Sequence, residues 1–388
     1  MNNKNNSQNI LDDNLTNNHK PPLKNIDKKH LKKPSLLMAI LPLAACGGGD
    51  GGSTTPGGTT PPAPTPAVPD YTEDPTNVFI ASSNVNPTLN EASSTADLTV
   101  TGNNTNDTIT TGSGNDTIDA KDGANVIKSG SGTDTITTGS GADKIRAGEG
   151  IDSVSSGGGN DVIVVVGTTT ATQYTATSIT NSAGSGTDLS GLITLADLNG
   201  RTVSEIGAGE TINGGTGSNT LFIYGTVDLT GVVLTNITTL YVNSDVTLTP
   251  AQIAGFTTID GDGNSVINIV VPSGSSDTYI LDLDAMTISD LANINISGDV
   301  TVKISDASDL TGITAITSNN TSTVTLSVID GGTATAISLS DIKGTFTAVD
   351  KIIMEDQVTL TLEAASDVTS LGLTEISGDG TIGSTSVQ

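Results

Sequence analysis

Tryptophan is absent from the 388 residues, aromatic side chains make up 2%, and both histidines and the one cysteine (His19, His30, Cys46) fall within the first 46 positions. So few rings argue against a thick core of large side chains and against an aromatic platform for stacking sugars. If the N-terminal end is removed, no imidazole and no internal thiol remain. That excludes Ser-His-Asp and Cys-His catalysis, zinc held by His or Cys, and intramolecular disulfides. Basic residues are scarce too: 15 Lys+Arg face 42 Asp+Glu, and the formal charge of −27 excludes nucleic-acid binding through charge. What is abundant is glycine, 45 residues, together with Thr, Ser, Asn and Asp. Repetition must replace bulk in such a chain, and its remaining ionic chemistry is that of carboxylates, whose oxygens suit hard cations such as calcium.

The first 34 residues are rich in Asn and Lys and end in Lys32-Lys33-Pro34; a short apolar run from Ser35 to Cys46 follows. It is too short to span a bilayer, which needs ~20 apolar residues. A basic flank, an apolar stretch and small residues before a cut site describe a bacterial secretory signal. Leu43-Ala44-Ala45-Cys46 resembles a lipoprotein lipobox. That resemblance implies removal of residues 1–45, lipid on the Cys46 sulfur, and export; Gly47 rather than Asp after the cysteine implies the outer membrane. The leader before the apolar run is longer than such leaders usually are. Cleavage would remove seven Lys and three Asp and change the charge from −27 to −31. Residues 46–76 then form a lipidated cysteine and a Gly/Pro/Thr linker, whose composition extends rather than packs.

From Gly102 to Val164 the chain repeats every nine residues: GNNTNDTIT, TGSGNDTID, AKDGANVIK, SGSGTDTIT, TGSGADKIR, AGEGIDSVS, SGGGNDVIV. Position six is Asp107, Asp116, Asn125, Asp134, Asp143, Asp152 and Asp161; position eight is Ile109, Ile118, Ile127, Ile136, Ile145, Val154 and Ile163. One inward β-branched residue with polar neighbours is a minimal strand, and the Gly-rich remainder is a tight turn. Two units close a coil of eighteen residues, so each unit stacks on the next but one at ~4.8 Å. Carboxylates eighteen apart then face each other, and two unit charges about 5 Å apart repel by ~3 kcal/mol at an effective dielectric of about 20. The stack needs a cation between turns. Two carboxylates and inward-aimed turn carbonyls offer the all-oxygen coordination that calcium accepts and magnesium does not.

These units resemble the RTX (repeats-in-toxin) nonapeptide GGxGxDxUx, a calcium-binding repeat. The resemblance, confined to residues 102–164, implies a parallel β-roll with Ca²⁺ between successive turns. The implied ligands are the position-six residues and turn carbonyls at Gly112, Gly114, Gly130, Gly132, Gly139, Gly141, Gly148, Gly150, Gly157 and Gly159. Position one departs from Gly after the first unit, the first unit has Asn103 and Thr105 where glycines belong, and the third has Lys121 and Asn125 in place of Gly and Asp. Good sites are expected at Asp116/Asp134, Asp134/Asp152 and Asp143/Asp161, with weak ones where Asn125 faces Asp107 and Asp143.

Residues 77–101 are assigned to an N-terminal cap strand region, 165–213 to a connecting β region and 214–388 to solenoid repeats. Three longer units, starting at Ser218, Ser265 and Ser322, each run from one Val/Ile/Leu/Thr strand to a second and then to a Gly/Asp/Asn turn. Their lengths suit two irregular coils apiece. Thr249-Pro250 begins a short helix. The turns holding Asn219 and Ser265 at position six read as structural rather than metal-binding. The fold class is therefore all-β: a parallel RTX β-roll continuing into an irregular parallel β-helix or solenoid.

The function that best fits is non-catalytic: a calcium-stabilised lipoprotein of the outer membrane and cell surface, or an extracellular one, acting as adhesin, coat or envelope-layer component. Its partners would be calcium, the lipid anchor, and surface polysaccharide or other envelope proteins, with no nucleic acid. The alternative is a polysaccharide lyase or hydrolase on a parallel β-helix; a groove on the C-terminal solenoid with clustered carboxylates and Arg201 would favour it. Ice binding ranks lower, because the outward column Asn104, Ser113, Asp122, Ser131, Ser140, Glu149, Gly158 is irregular and charged. A pore-forming toxin ranks low as well, since no apolar membrane-active segment precedes the repeats. The C-terminal end carries no recognisable type I secretion signal.

Overall fold

The computed structural model describes residues 68–180, 186–273, 279–319, 322–331, 336–355, 357–362, 365–378 and 381–384. The expected leader, Cys46 and the linker up to residue 67 lie outside them. Each nonapeptide supplies one short strand, as in Thr108–Thr110, Thr117–Asp119 and Thr135–Thr137. Each strand pairs in parallel with the strand eighteen residues on. Ile109 lies beside Ile127 and Ile127 beside Ile145 on one face; Ile118 lies beside Ile136 and Ile136 beside Val154 on the other. All of these side chains are buried, so one β-branched residue per half-coil builds a continuous apolar column. The parallel sheets form a β-solenoid of about 13 turns, and the nonapeptide part of it is a β-roll.

The corners explain the glycines. A Cβ at Gly150 would stand 1.6 Å from the Gly132 carbonyl oxygen of the coil before, and φ there is +151°. Both facts demand glycine: coils cannot approach to strand spacing if a side chain sits at the turn. Position one carries Ser or Thr in four of the seven units, for a different reason. Thr111, Ser129 and Thr138 donate their hydroxyls to the carbonyls of Ser129, Ala147 and Ser156, each eighteen residues on, at 2.6 to 2.8 Å. A hydroxyl ladder takes the place of the first glycine.

At the N-terminal edge, Tyr71–Glu73 pairs antiparallel with Val78–Ala81. Composition extends the linker to residue 76, but the fold starts earlier, because Tyr71 buries its ring in the core and donates its hydroxyl to Asp107 at 3.2 Å.

The eighteen-residue step breaks once. Val154 pairs with Ile212 and Ile163 with Leu221, steps of 58 rather than 18, so forty extra residues leave the coil and return. Val166 and Glu205 close the neck, since the Glu205 N–H donates to the Val166 carbonyl and the Val166 N–H to the Glu205 carboxylate, both at 2.9 Å. The expectation of a connecting β region over 165–213 is corrected here. Among the described residues strands occur only at its ends, in Val162–Val166 and Thr211–Asn213, and between them lie helices α1 (Ala176–Thr180) and α2 (Leu195–Leu198). The reason is burial on the outer face. Val164, Val166, Phe222 and Tyr224 point away from the column, and the excursion covers them with Tyr174, Ile179, Leu189, Leu192, Ile193 and Leu198. A strand apolar on both faces needs such a layer.

Beyond Leu221 the steps lengthen irregularly: 19 residues to Leu240, 19 more to Ile259, 29 to Ile288, and later 24 from Val302 to Leu326 and 26 to Ile352. This gives two coils per long unit, as the lengths suggest. Helix α3 (Pro250–Ile253) starts where expected, with Thr249 and Gln252 forming a reciprocal capping box.

Gly150→Ala is expected to cost on the order of 3 kcal/mol through steric clash and the unfavourable φ. Gly158→Ala, whose Cβ would meet only the Thr216 hydroxyl at 3.0 Å, should cost far less. Thermal unfolding of both variants in calcium checks this; equal losses would contradict the stacking geometry.

Candidate metal centre

The position-six residues form two ladders inside the coil corners. One holds Asp116, Asp134, Asp152 and then Glu210; the other holds Asp107, Asn125, Asp143, Asp161 and Asn219. All nine are buried. In both ladders up to Asp152 and Asn219 one side-chain oxygen is used identically, the backbone N–H of one rung donating to Oδ1 of the next, whereas the Glu210 carboxylate accepts the Gly207 N–H of its own turn. Asp116 donates to Asp134 at 2.8 Å, Asp134 to Asp152 at 2.8 Å, Asn125 to Asp143 at 2.7 Å and Asp143 to Asp161 at 2.9 Å. The second oxygen has no such donor. Oδ2 of Asp116, Asp134, Asp143, Asp152 and Asp161 is buried and accepts no hydrogen bond.

A buried carboxylate oxygen left without a donor is costly, and five recur in register. Calcium fits this donor set: a hard cation would take the free Oδ2 of two successive rungs, with turn carbonyls completing the shell. Gly112, Gly139 and Gly157 each accept an N–H from a neighbouring coil at 2.8 to 2.9 Å, which leaves a second lone pair on each oxygen. The remaining turn glycines, Gly114, Gly130, Gly132, Gly141, Gly148, Gly150 and Gly159, stack in the same two corner columns, with carbonyls of one coil beneath glycines of the next. Among the described residues no three Asp, Glu, His or Cys side chains converge on one point, so a metal shell here requires backbone oxygens.

The asparagines behave differently. Asn125 accepts from Asp107 N–H with its oxygen and donates its amide nitrogen to the Lys121 carbonyl at 3.1 Å. Asn219 repeats this, accepting from Asp161 N–H and donating to the Asn236 carbonyl at 3.0 Å. The amide N–H occupies a turn carbonyl that would otherwise face a cation. Asp107 is also satisfied without metal, taking the Tyr71 hydroxyl on one oxygen and the Asn103 N–H, at 2.9 Å, on the other. Ser265 bonds within its own turn to Asp262 and to the Val242 carbonyl, in keeping with a structural turn.

Burial pushes the ladder carboxyls up. Asp143 is raised to about 6 and Asp152 to about 7, desolvation being the main cause and the neighbouring acid a further one. Asp134 and Asp161 are raised by the same burial. Glu210 reaches about 8, through desolvation and then the charges of Asp152 and Glu205.

Glu210 is the residue that reading the repeat misses, because the forty-residue excursion hides its register. The signal is Glu210-Thr211-Ile212, the counterpart of Asp116-Thr117-Ile118. The excursion also supplies an ion cluster. Buried Arg146 reaches Glu205 at 2.5 Å and Asp197 at 2.9 Å, Lys128 reaches Asp197 at 3.4 Å, and Arg201 reaches Glu149 at 3.0 Å. Burial opposes the charge on Asp197, but Arg146 overrides it and holds the carboxyl at about 2. The cluster surrounds a pocket of about 170 Å³ and balances three cations with three carboxylates. Arg201 therefore works in a charge-paired clamp and does not lie in a groove of the C-terminal solenoid.

Residues 101–136 and 137–164 match the family of the RTX calcium-binding nonapeptide repeat (4 copies). No curated protein and no solved structure matches the chain. The chain thus carries RTX repeats, and these repeats bind Ca²⁺. Among the described residues no helix is long and apolar enough to cross a membrane.

The raised carboxyls set a pH dependence. Without metal, the folded state holds protons to a higher pH than the unfolded chain, whose Asp residues titrate near 3.8, so folded stability falls as pH rises through about 4 to 7. In chelator, the melting temperature of the array is expected to drop by on the order of 5 °C across that window. Saturating calcium should flatten or reverse the trend. Melting curves at several pH values check this, and a rise with pH in chelator would contradict it.

Proposed function

We propose that this calcium-binding structural protein is a surface lipoprotein, anchored through Cys46 and stiffened by calcium held in its two aspartate ladders, with an adhesive or envelope-layer role. The observation that carries the reading is the set of five buried Oδ2 atoms without a donor. On this reading Asp116/Asp134, Asp134/Asp152 and Asp143/Asp161 each hold an ion, and the turn glycines lend carbonyls. The slots facing Asn125 and Asn219 are closed by amide donors. A mature charge of −31 resists compaction, and calcium offsets it where the carboxylates are densest. The anchor at Cys46 and the Gly/Pro/Thr linker would tether the protein to the outer membrane, where surface polysaccharide or other envelope proteins are the partners that fit.

The role is read as non-catalytic. A cleft of about 600 Å³ on the solenoid is lined by Asp262 and Asp290 but by no Arg or Lys. The polysaccharide-active alternative would have to work there with carboxylates alone.

Isothermal titration with calcium tests the array. Asp134→Ala removes a carboxylate from two slots and is expected to lower the bound count by one to two, whereas Asp107→Ala should leave it unchanged. Asn125→Asp should add capacity. Equal stoichiometry in all three would sink the assignment. For the anchor, mass spectrometry of the N-terminal peptide should show lipid on Cys46, and Cys46→Ala should release the protein from membranes. An unmodified peptide still carrying residues 1–45 would contradict the surface reading.

A further inference from the structure

The ladder of Asp116, Asp134 and Asp152 does not end where the nonapeptides end. Ser153 pairs with Thr211 and Val154 with Ile212, so the residue beside Asp152 on the next coil is Glu210, although the two are 58 positions apart. The Thr211 N–H donates to the Asp152 carbonyl at 3.0 Å, and this fixes the register at that rung. Both side chains are buried, with 2% of Asp152 and 3% of Glu210 exposed. Asp152 Oδ1 is occupied by the Asp134 N–H, and Asp152 Oδ2 accepts nothing. Glu210 Oε2 takes the Gly207 N–H at 3.1 Å, a contact from its own turn that steadies the carboxylate.

The local sequence is consistent with a turn adapted to an acid longer by one methylene. Gly112-Ser113-Gly114-Asn115-Asp116-Thr117-Ile118 has one residue between the second glycine and the acid, whereas Gly207-Ala208-Gly209-Glu210-Thr211-Ile212 has none. The ladder then stops. The next rung is Val232, since Val233 pairs with Thr211, and the rung below Asp116 is Leu98, whose N–H donates to Asp116 Oδ1 at 2.8 Å. Four acids are thus stacked without interruption between two apolar ends, and the last of them, Glu210, lies outside the segments matched to the repeat family.

We propose that Asp152 and Glu210 hold a further calcium ion, which joins the nonapeptide roll to the first coil beyond the excursion. The pair rests on the same chemistry as the array: two buried carboxylates facing each other, one with an oxygen that nothing in the protein satisfies. Its consequence is distinct. Glu205, five residues before Glu210, is clamped to Arg146 and to the neck at Val166. Binding at Asp152/Glu210 therefore couples calcium loading to docking of the excursion, and through it to the start of the C-terminal solenoid. This inference rests on the calcium reading of the array but can fail independently of it.

The test compares the full chain with Glu210→Gln, measuring bound calcium by titration and melting temperature in chelator and in millimolar calcium. The expected result is one ion fewer, with a variant more stable than the parent in chelator, where a buried acid has been neutralised, and less stable in calcium. A purely structural Glu210 would give an unchanged count and the same sign of stability change in both conditions, and either finding overturns the proposal. Glu210→Asp, too short for this turn, should retain the charge but weaken the site, and its calcium count read by native mass spectrometry decides the matter should the glutamine variant misfold. There, a full count at limiting calcium overturns the proposal. A parent chain that binds no calcium would instead dismiss the array reading itself.

Discussion

Stacking acids on acids is the constraint on which the nonapeptide roll of this molecule depends. A coil of eighteen residues brings the position-six carboxylates into register inside the corners, where water is excluded. Each rung can satisfy only one oxygen through the backbone of its neighbour. The geometry is therefore complete in its hydrogen bonds and incomplete in its charge. Protons or a divalent cation can supply what is missing, and near neutral pH the cation is the stronger candidate within the nonapeptides, because burial and neighbouring acids raise Asp143 to about 6 and Asp152 to about 7. Folded stability and calcium binding are therefore linked in this part of the chain.

The asparagines show the same constraint met by other means. Replacing one carboxylate oxygen with an amide N–H turns a repelling rung into a hydrogen-bonding one, at Asn125 and again at Asn219. The two ladders consequently differ. One is an unbroken run of acids; the other is interrupted by amides at Asn125 and Asn219 and is tied off at its start by Tyr71. Calcium dependence is concentrated on one corner of the roll, while the opposite corner has internal cross-links that persist without metal. Glycine at the corners and Ser or Thr at position one serve both ladders alike, since close stacking of coils is common to both.

Much of this was legible from spacing alone. A nine-residue period with Asp at six and Ile at eight dictates the coil, the register and the facing acids, and no packing detail could alter it without moving every rung. The excursion was not legible, because residues 167–205 have no period; what calls them into place is the outward apolar face of Val164, Val166, Phe222 and Tyr224, visible only once strands are assigned to faces. Glu210 was hidden for the same reason, its register being separated from Asp152 by forty residues of unrelated chain. Arg146 reads in sequence as the last residue of a repeat unit, yet in the fold it is the buried partner of Glu205 and Asp197. The early start of the fold at Tyr71 was masked by the prolines around it.

Among the described residues the C-terminal solenoid continues the column of buried aliphatic side chains without a ladder of facing acids, so it is held by apolar burial and strand pairing, with ion pairs such as Lys303–Asp282 and the Asn268–Asn295–Asn293 amide ladder beside them. Calcium is thus expected to matter to the nonapeptide roll and not to the solenoid beyond it. Hydrogen exchange followed by mass spectrometry, on the same sample in chelator and in millimolar calcium, tests this most directly. Amides of residues 102–164 should exchange markedly faster in chelator than in calcium, while those of the strands from Thr239 to Val328 exchange alike in both. Equal protection of residues 102–164 in chelator and in calcium would contradict the account.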